Sequence, residues 1–112
     1  MAITVTLDAF SGRPNPTWTL SEEEGAALAR LLVDLPRSPT AATEDGLGYR
    51  GFILENPEHK AGLPARMRVG NGVITVEEDL GPASYQDIHG AERLFAQQAT
   101  QRGYGALVQH LL

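Results

Sequence analysis

The 112-residue chain carries 9 basic against 14 acidic side chains, a formal net charge of −5 and a pI near 5.0, with its basic residues scattered singly. That balance excludes the electrostatic footprint of a DNA- or RNA-binding protein and argues against an anionic membrane surface as partner. Hydrophobic residues at 42% and charged residues at 21% lie in the globular range, and a single domain of this length buries roughly 60–68% of its unfolded surface. The chain has no cysteine, which removes disulfides, thiolate nucleophiles and cysteine-type zinc sites.

Ile3, Val5 and Leu7 alternate with Thr4, Thr6 and Asp8, the period of a strand with one buried face. The same alternation leaves no basic start and apolar stretch of a signal peptide, and no apolar run reaches the ~18 residues of a membrane span. The expectation is a soluble, cytoplasmic domain.

A stiff loop follows. Pro14 and Pro16 fix their own φ angles and push Arg13 and Asn15 toward extended conformations, while Gly12 lets the chain turn. The loop delivers Trp18, the only tryptophan, on a segment 17–20 that is either a short edge strand or an extended entry to a helix. Ser21 and Glu24 then match the Ser-x-x-Glu capping box. Over residues 22–35, Leu28, Leu31, Leu32 and Leu35 recur at helical spacing and predict an amphipathic helix that ends at Pro36, its leucines set against the Ile3, Val5 and Leu7 face. Glu22, Glu23 and Glu24 suit the positive end of its dipole and read as structural rather than metal-binding.

Residues 36–46 lack periodicity and read as an exposed loop. Phe52, Ile53 and Leu54 form an apolar run suited to a central strand, and residues 56–62 form another loop. Asn71-Gly72 between residues 65–70 and 73–78 predicts a hairpin with a two-residue type I′ turn, pairing Val69 with Ile74, Met67 with Val76, Arg68 with Thr75 and Arg66 with Glu77. Gly81-Pro82 reads as a break. Asp87 is placed to cap a helix bearing Ile88, Ala91, Leu94, Phe95 and Ala99, stopped by Gly103-Tyr104-Gly105, and residues 106–112 form a short docking helix. The order predicts an α+β fold: an antiparallel or mixed sheet of about four strands, with two main helices and a short C-terminal helix packed mainly on one face. A ferredoxin-like arrangement is one special case of it.

Phe10-Ser11-Gly12-Arg13-Pro14-Asn15-Pro16 with Trp18, and Gly46-Leu47-Gly48-Tyr49-Arg50-Gly51-Phe52 further on, resemble a family of small uncharacterised bacterial proteins. The resemblance implies a bacterial source and carries over no activity and no catalytic residue.

The chemistry-bearing residues are sparse. His59, His89 and His110 fall on different predicted elements without metal-ligand spacing, so no metal is expected. Glu77-Glu78-Asp79 reads as a solvated acidic run; Ser11 and Ser84 lie in no nucleophile elbow; and the glycines of residues 46–51 precede a strand instead of joining strand to helix, unlike a phosphate loop. Arg13, Asn15, Trp18, Tyr49 and Arg50 remain as the one candidate constellation. As scaffold, Trp18 fills core, Asn15 bonds its own turn and the arginines pair with acids. As a site, the two guanidinium groups would bind a carboxylate or phosphate beside two aromatic rings. The expected function is a binding or accessory module without cofactor, taking a protein partner or a small anionic ligand and open to homodimer formation. The alternatives are an inhibitor or immunity-type protein blocking a basic partner, and a small cofactor-free enzyme acting through His59 or Tyr49.

Overall fold

The computed structural model describes residues 2–9, 14–42, 49–78 and 80–112. Strands β1 (Thr4–Leu7), β2 (Thr17–Thr19), β3 (Phe52–Glu55), β4 (Arg66–Gly70), β5 (Val73–Glu78) and β6 (Gly81–Gln86) form a six-stranded sheet in the order β2-β1-β3-β4-β5-β6, each neighbouring pair antiparallel. Two helices, α1 (Glu22–Arg30) and α2 (Ala91–Gln101), complete the α+β fold.

Alternation within each strand divides the sheet into two faces. Val5, Leu54, Met67, Val76 and Ala83 lie in one cross-strand row, and Leu7, Phe52, Val69, Ile74 and Tyr85 in the next. These rows form the floor of the core, where Phe95 of α2 meets Phe52 at 5.3 Å between ring centroids and Leu28 of α1 is fully buried. The other face carries Thr4, Thr6, Thr17, Thr19, Arg66, Arg68, Thr75 and Ser84.

Local signals set several elements. Ser21 accepts from the Glu24 N–H and Glu24 accepts from the Ser21 N–H, a complete capping box at the start of α1. Asn71 and Gly72 take φ of 52° and 79°, as a type I′ turn requires, and the hairpin has the predicted register, with Arg66 3.7 Å from Glu77. Segment 17–20 supplies the edge strand β2, and Phe52 and Leu54 sit in a central strand.

Five expectations are corrected. The sheet has six strands rather than about four, because segment 17–20 forms β2 and because Gly81 and Pro82 begin β6 instead of breaking the chain. Pro82 lacks an N–H but lies on an edge strand, where that donor has no ladder partner to lose. The first helix ends at Arg30 and not near Leu35: Asp34 enters the left-handed region at φ 53°, and the following residues pair with the β6 edge through Arg37 and Tyr85. Asp87 does cap α2, accepting from the Ala91 and Glu92 N–H groups, but Gly90 at φ 86° delays the helix to Ala91 and leaves Ile88 56% exposed. The C-terminal segment forms two 3-10 turns, Gly105–Leu107 and Gln109–Leu111, that anchor Val108 in the core. The chain from β3 to β6 is a meander, so the arrangement is not ferredoxin-like. Residues 43–46 of the predicted loop lie outside the described residues.

Candidate functional site

The sequence-predicted constellation is divided between the two faces of the sheet. Asn15 and Arg50 converge on Asp8, at the end of β1 on the polar face. Arg50 Nη2 lies 2.8 Å from Asp8 Oδ1, Arg68 Nη1 lies 3.0 Å from Asp8 Oδ2, and Asn15 Nδ2 donates to Asp8 Oδ1 at 3.4 Å. Asn15 Oδ1 also accepts from the Ala9 N–H at 3.1 Å, which ties Asn15 to the residue after Asp8. Gly51 permits this corner: at φ 98° a Cβ on it would stand 2.3 Å from the Val69 carbonyl oxygen, so no other residue fits between β3 and β4 here. Asp8 is only 7% exposed, and two guanidinium groups satisfy its carboxylate. Arg13 lies outside the described residues.

Trp18 and Tyr49 occupy the helix-covered face. The Trp18 indole N–H donates to Gln98 Oε1 at 3.0 Å, and the Arg102 guanidinium stands 5.5 Å from the ring centroid. Tyr49 packs edge-on against Phe52 at 5.8 Å and against His110 at 4.8 Å. Its hydroxyl donates to Glu92, which also accepts from the Asn71 N–H at 3.0 Å and the Gly72 N–H at 2.9 Å. Burial, and then the Glu92 carboxylate, hold the phenol proton far above its ordinary range. Glu92 thus clamps the hairpin turn to the first turn of α2, and Tyr49 is a donor to that clamp, poorly suited to act as a base.

A different concavity opens on the helix side, where neither helix covers the far ends of β5 and β6. It encloses about 710 Å³. Its floor is Ile74, Val76 and Tyr85; one wall is Leu32 and Leu35 after the end of α1; the other is the segment around Leu63. Each wall has a local cause. The left-handed turn at Asp34 sends the first toward β6, where Ser38 donates its N–H to the Ser84 carbonyl at 2.9 Å. The second is shaped by Asn56, 1% exposed, whose amide donates to the Lys60 and Leu63 carbonyls and accepts from the Lys60 N–H. This holds His59 and Ala61 in left-handed conformations and places His59 on the rim.

The charged lining is one-sided. Asp34, Glu77 and Glu78 contribute carboxylates, and the lining includes no lysine or arginine. Glu77 faces Arg66, whereas Glu78, among the described residues, accepts only from the Tyr85 hydroxyl, at 3.3 Å. Among the described residues no hydrogen bond to the His59 ring is formed, and no three histidine or acidic side chains are grouped to hold a metal ion. His89 lies 3.1 Å from the Val33 carbonyl and His110 packs edge-on against Tyr49, so the three histidines do not converge.

No protein-family model matches the chain, and neither a curated protein nor a solved structure matches it.

Asp8, Asn56 and Glu92 are the working polar residues that sequence reasoning passed over. Asp8 continues the outward alternation of Thr4 and Thr6, which places it on the polar face, but its partners at positions 50 and 68 are remote in the chain. Glu92 carried no local signal: its partners belong to the hairpin and to Tyr49, 20 and more residues upstream.

Proposed function

We propose that the protein is a non-catalytic binding module that grips an apolar group of its partner in the cleft between the end of α1 and the β5–β6 sheet. One observation carries this reading: the cleft is a concavity of about 710 Å³ with an apolar floor of Ile74, Val76 and Tyr85, and its walls are already held in place by the Asn56 hydrogen bonds and the Asp34 turn. A site formed before its ligand arrives avoids much of the ordering cost of recognition. The polar corner is less suited to the role, because an anion there would compete with Asp8 for both Arg50 and Arg68. The enzyme alternative keeps His59 on the cleft rim, but it lacks an orienting partner for that ring among the described residues.

The test is binding of a neutral solvatochromic dye such as Nile red. The expected result is saturable fluorescence enhancement that falls several-fold in Leu35→Gln, which alters the wall. Ile88→Gln, a change at an exposed residue outside the cleft, should leave it unaltered. Absence of enhancement, or equal enhancement in all three proteins, removes the cleft as the recognition surface.

A further inference from the structure

From the charge around this cleft we infer that its occupant is a basic, apolar-tipped peptide segment of a partner protein; the inference rests on the reading of the cleft as the recognition surface. Asp34 stands on the helix-derived wall. Glu78 follows Ile74 and Val76 on the helix-facing alternation of β5. Neither carboxylate meets a cation among the described residues, and both are exposed. Three cations of the surrounding segments are engaged elsewhere: Arg37 lies over the Tyr85 ring at 5.1 Å, Arg66 faces Glu77, and Lys60 is 3.9 Å from Glu58. An apolar floor between these carboxylates complements a side chain pair of opposite design, an aliphatic or aromatic anchor next to lysine or arginine.

The extent of the surface selects a peptide over a small amine. Leu80 is 103% exposed at the tip of the β5–β6 hairpin, two residues beyond Glu78. It lies outside the cleft, so it offers a second apolar contact that a single small cation seated between Asp34 and Glu78 could not also reach. Apolar side chains standing in water beside a one-sided charged rim are the pattern of a protein docking surface. The chain's net charge of −5 steers such a partner from a distance.

The experiment uses fluorescein-labelled twelve-residue peptides of alternating lysine and leucine, glutamine and leucine, or glutamate and leucine, titrated with the intact protein and followed by anisotropy at two salt concentrations. The lysine–leucine peptide should bind at least roughly tenfold tighter than the glutamine–leucine peptide, with the glutamate–leucine peptide weakest. The double variant Asp34→Asn, Glu78→Gln should lose most of that preference, because asparagine keeps the left-handed turn and glutamine still accepts from Tyr85. Glu22→Gln with Glu23→Gln, the same charge change on the first turn of α1, should retain it. Equal losses in the two double variants would reduce the effect to net charge and overturn the inference. Equal binding of lysine and glutamine peptides, with Nile red binding intact, would overturn the cationic occupant while leaving the cleft as the recognition surface. Loss of dye and peptide binding together would remove both readings.

Discussion

Replacing Glu92 by glutamine should cost about 2–4 kcal/mol of folding stability, the sum of lost charge-assisted bonds and a weakened helix start. Glu92 is 6% exposed and accepts three bonds, from the Tyr49 hydroxyl, the Asn71 N–H and the Gly72 N–H. A glutamine side chain at this position would keep the shape and one acceptor oxygen, but its NH₂ group would face donors. With the glutamine oxygen where Oε2 stands, the bonds from Tyr49 and Asn71 survive as neutral ones, weakened by about 0.5 kcal/mol each, and the bond from the Gly72 N–H is lost at about 1–1.5 kcal/mol net, since that exposed turn amide recovers water. Loss of a negative charge in the first turn of α2 adds about 0.3–1 kcal/mol. Equilibrium urea unfolding followed by tryptophan fluorescence and far-UV circular dichroism would measure this, with the slope checked for constancy so that a midpoint shift reports stability. A double-mutant cycle with Tyr49→Phe should show coupling, because Glu92→Gln weakens the bond that Tyr49→Phe removes. A loss below about 0.5 kcal/mol for Glu92→Gln, or additivity with Tyr49→Phe within about 0.3 kcal/mol, would refute the clamp and with it the account of how the hairpin is fixed to the helix layer.

Arg50→Ala should destabilise the protein by about 2–4 kcal/mol in the same urea assay, less than a fully unpaired buried charge because Arg68 still holds Asp8; a neutral result would return Arg50 to the surface-recognition role. The Tyr49 phenol predicts a pH effect. Its folded-state affinity for the proton is raised, so its contribution is fully present below the unfolded value near 10 and declines as pH climbs above it. Urea midpoints should accordingly fall above pH ~10, less steeply in Tyr49→Phe; identical slopes for the two proteins would contradict the burial of that proton.

The elements legible in the sequence are those written in short-range chemistry. The alternation of Ile3, Val5 and Leu7, the Ser21–Glu24 capping box and the Asn71-Gly72 turn each depend on residues a few positions apart, so their dihedral and hydrogen-bonding preferences specified strand, helix start and register directly. Gly81-Pro82 shows where that rule fails: the same dipeptide breaks an internal strand and opens an edge strand, and only the position of β6 at the rim of the sheet decides between them. The end of α1 was hidden for a related reason, since the spacing of Leu31, Leu32 and Leu35 continues a helix while the pairing of Arg37 with Tyr85 draws the chain away to the sheet edge. The division of Trp18 and Tyr49 from Asn15 and Arg50 follows from long-range contacts: Trp18 pairs with Val5 on the helix-covered face and Tyr49 meets Glu92, whereas Asn15 and Arg50 meet Asp8 on the other. The cleft was beyond reach of any local pattern: its walls come from positions near 34 and 63 and its floor from β5 and β6, and a concavity exists only where packed elements leave a face uncovered. Short-range preferences thus determined what each segment is, and long-range packing decided which side chains meet.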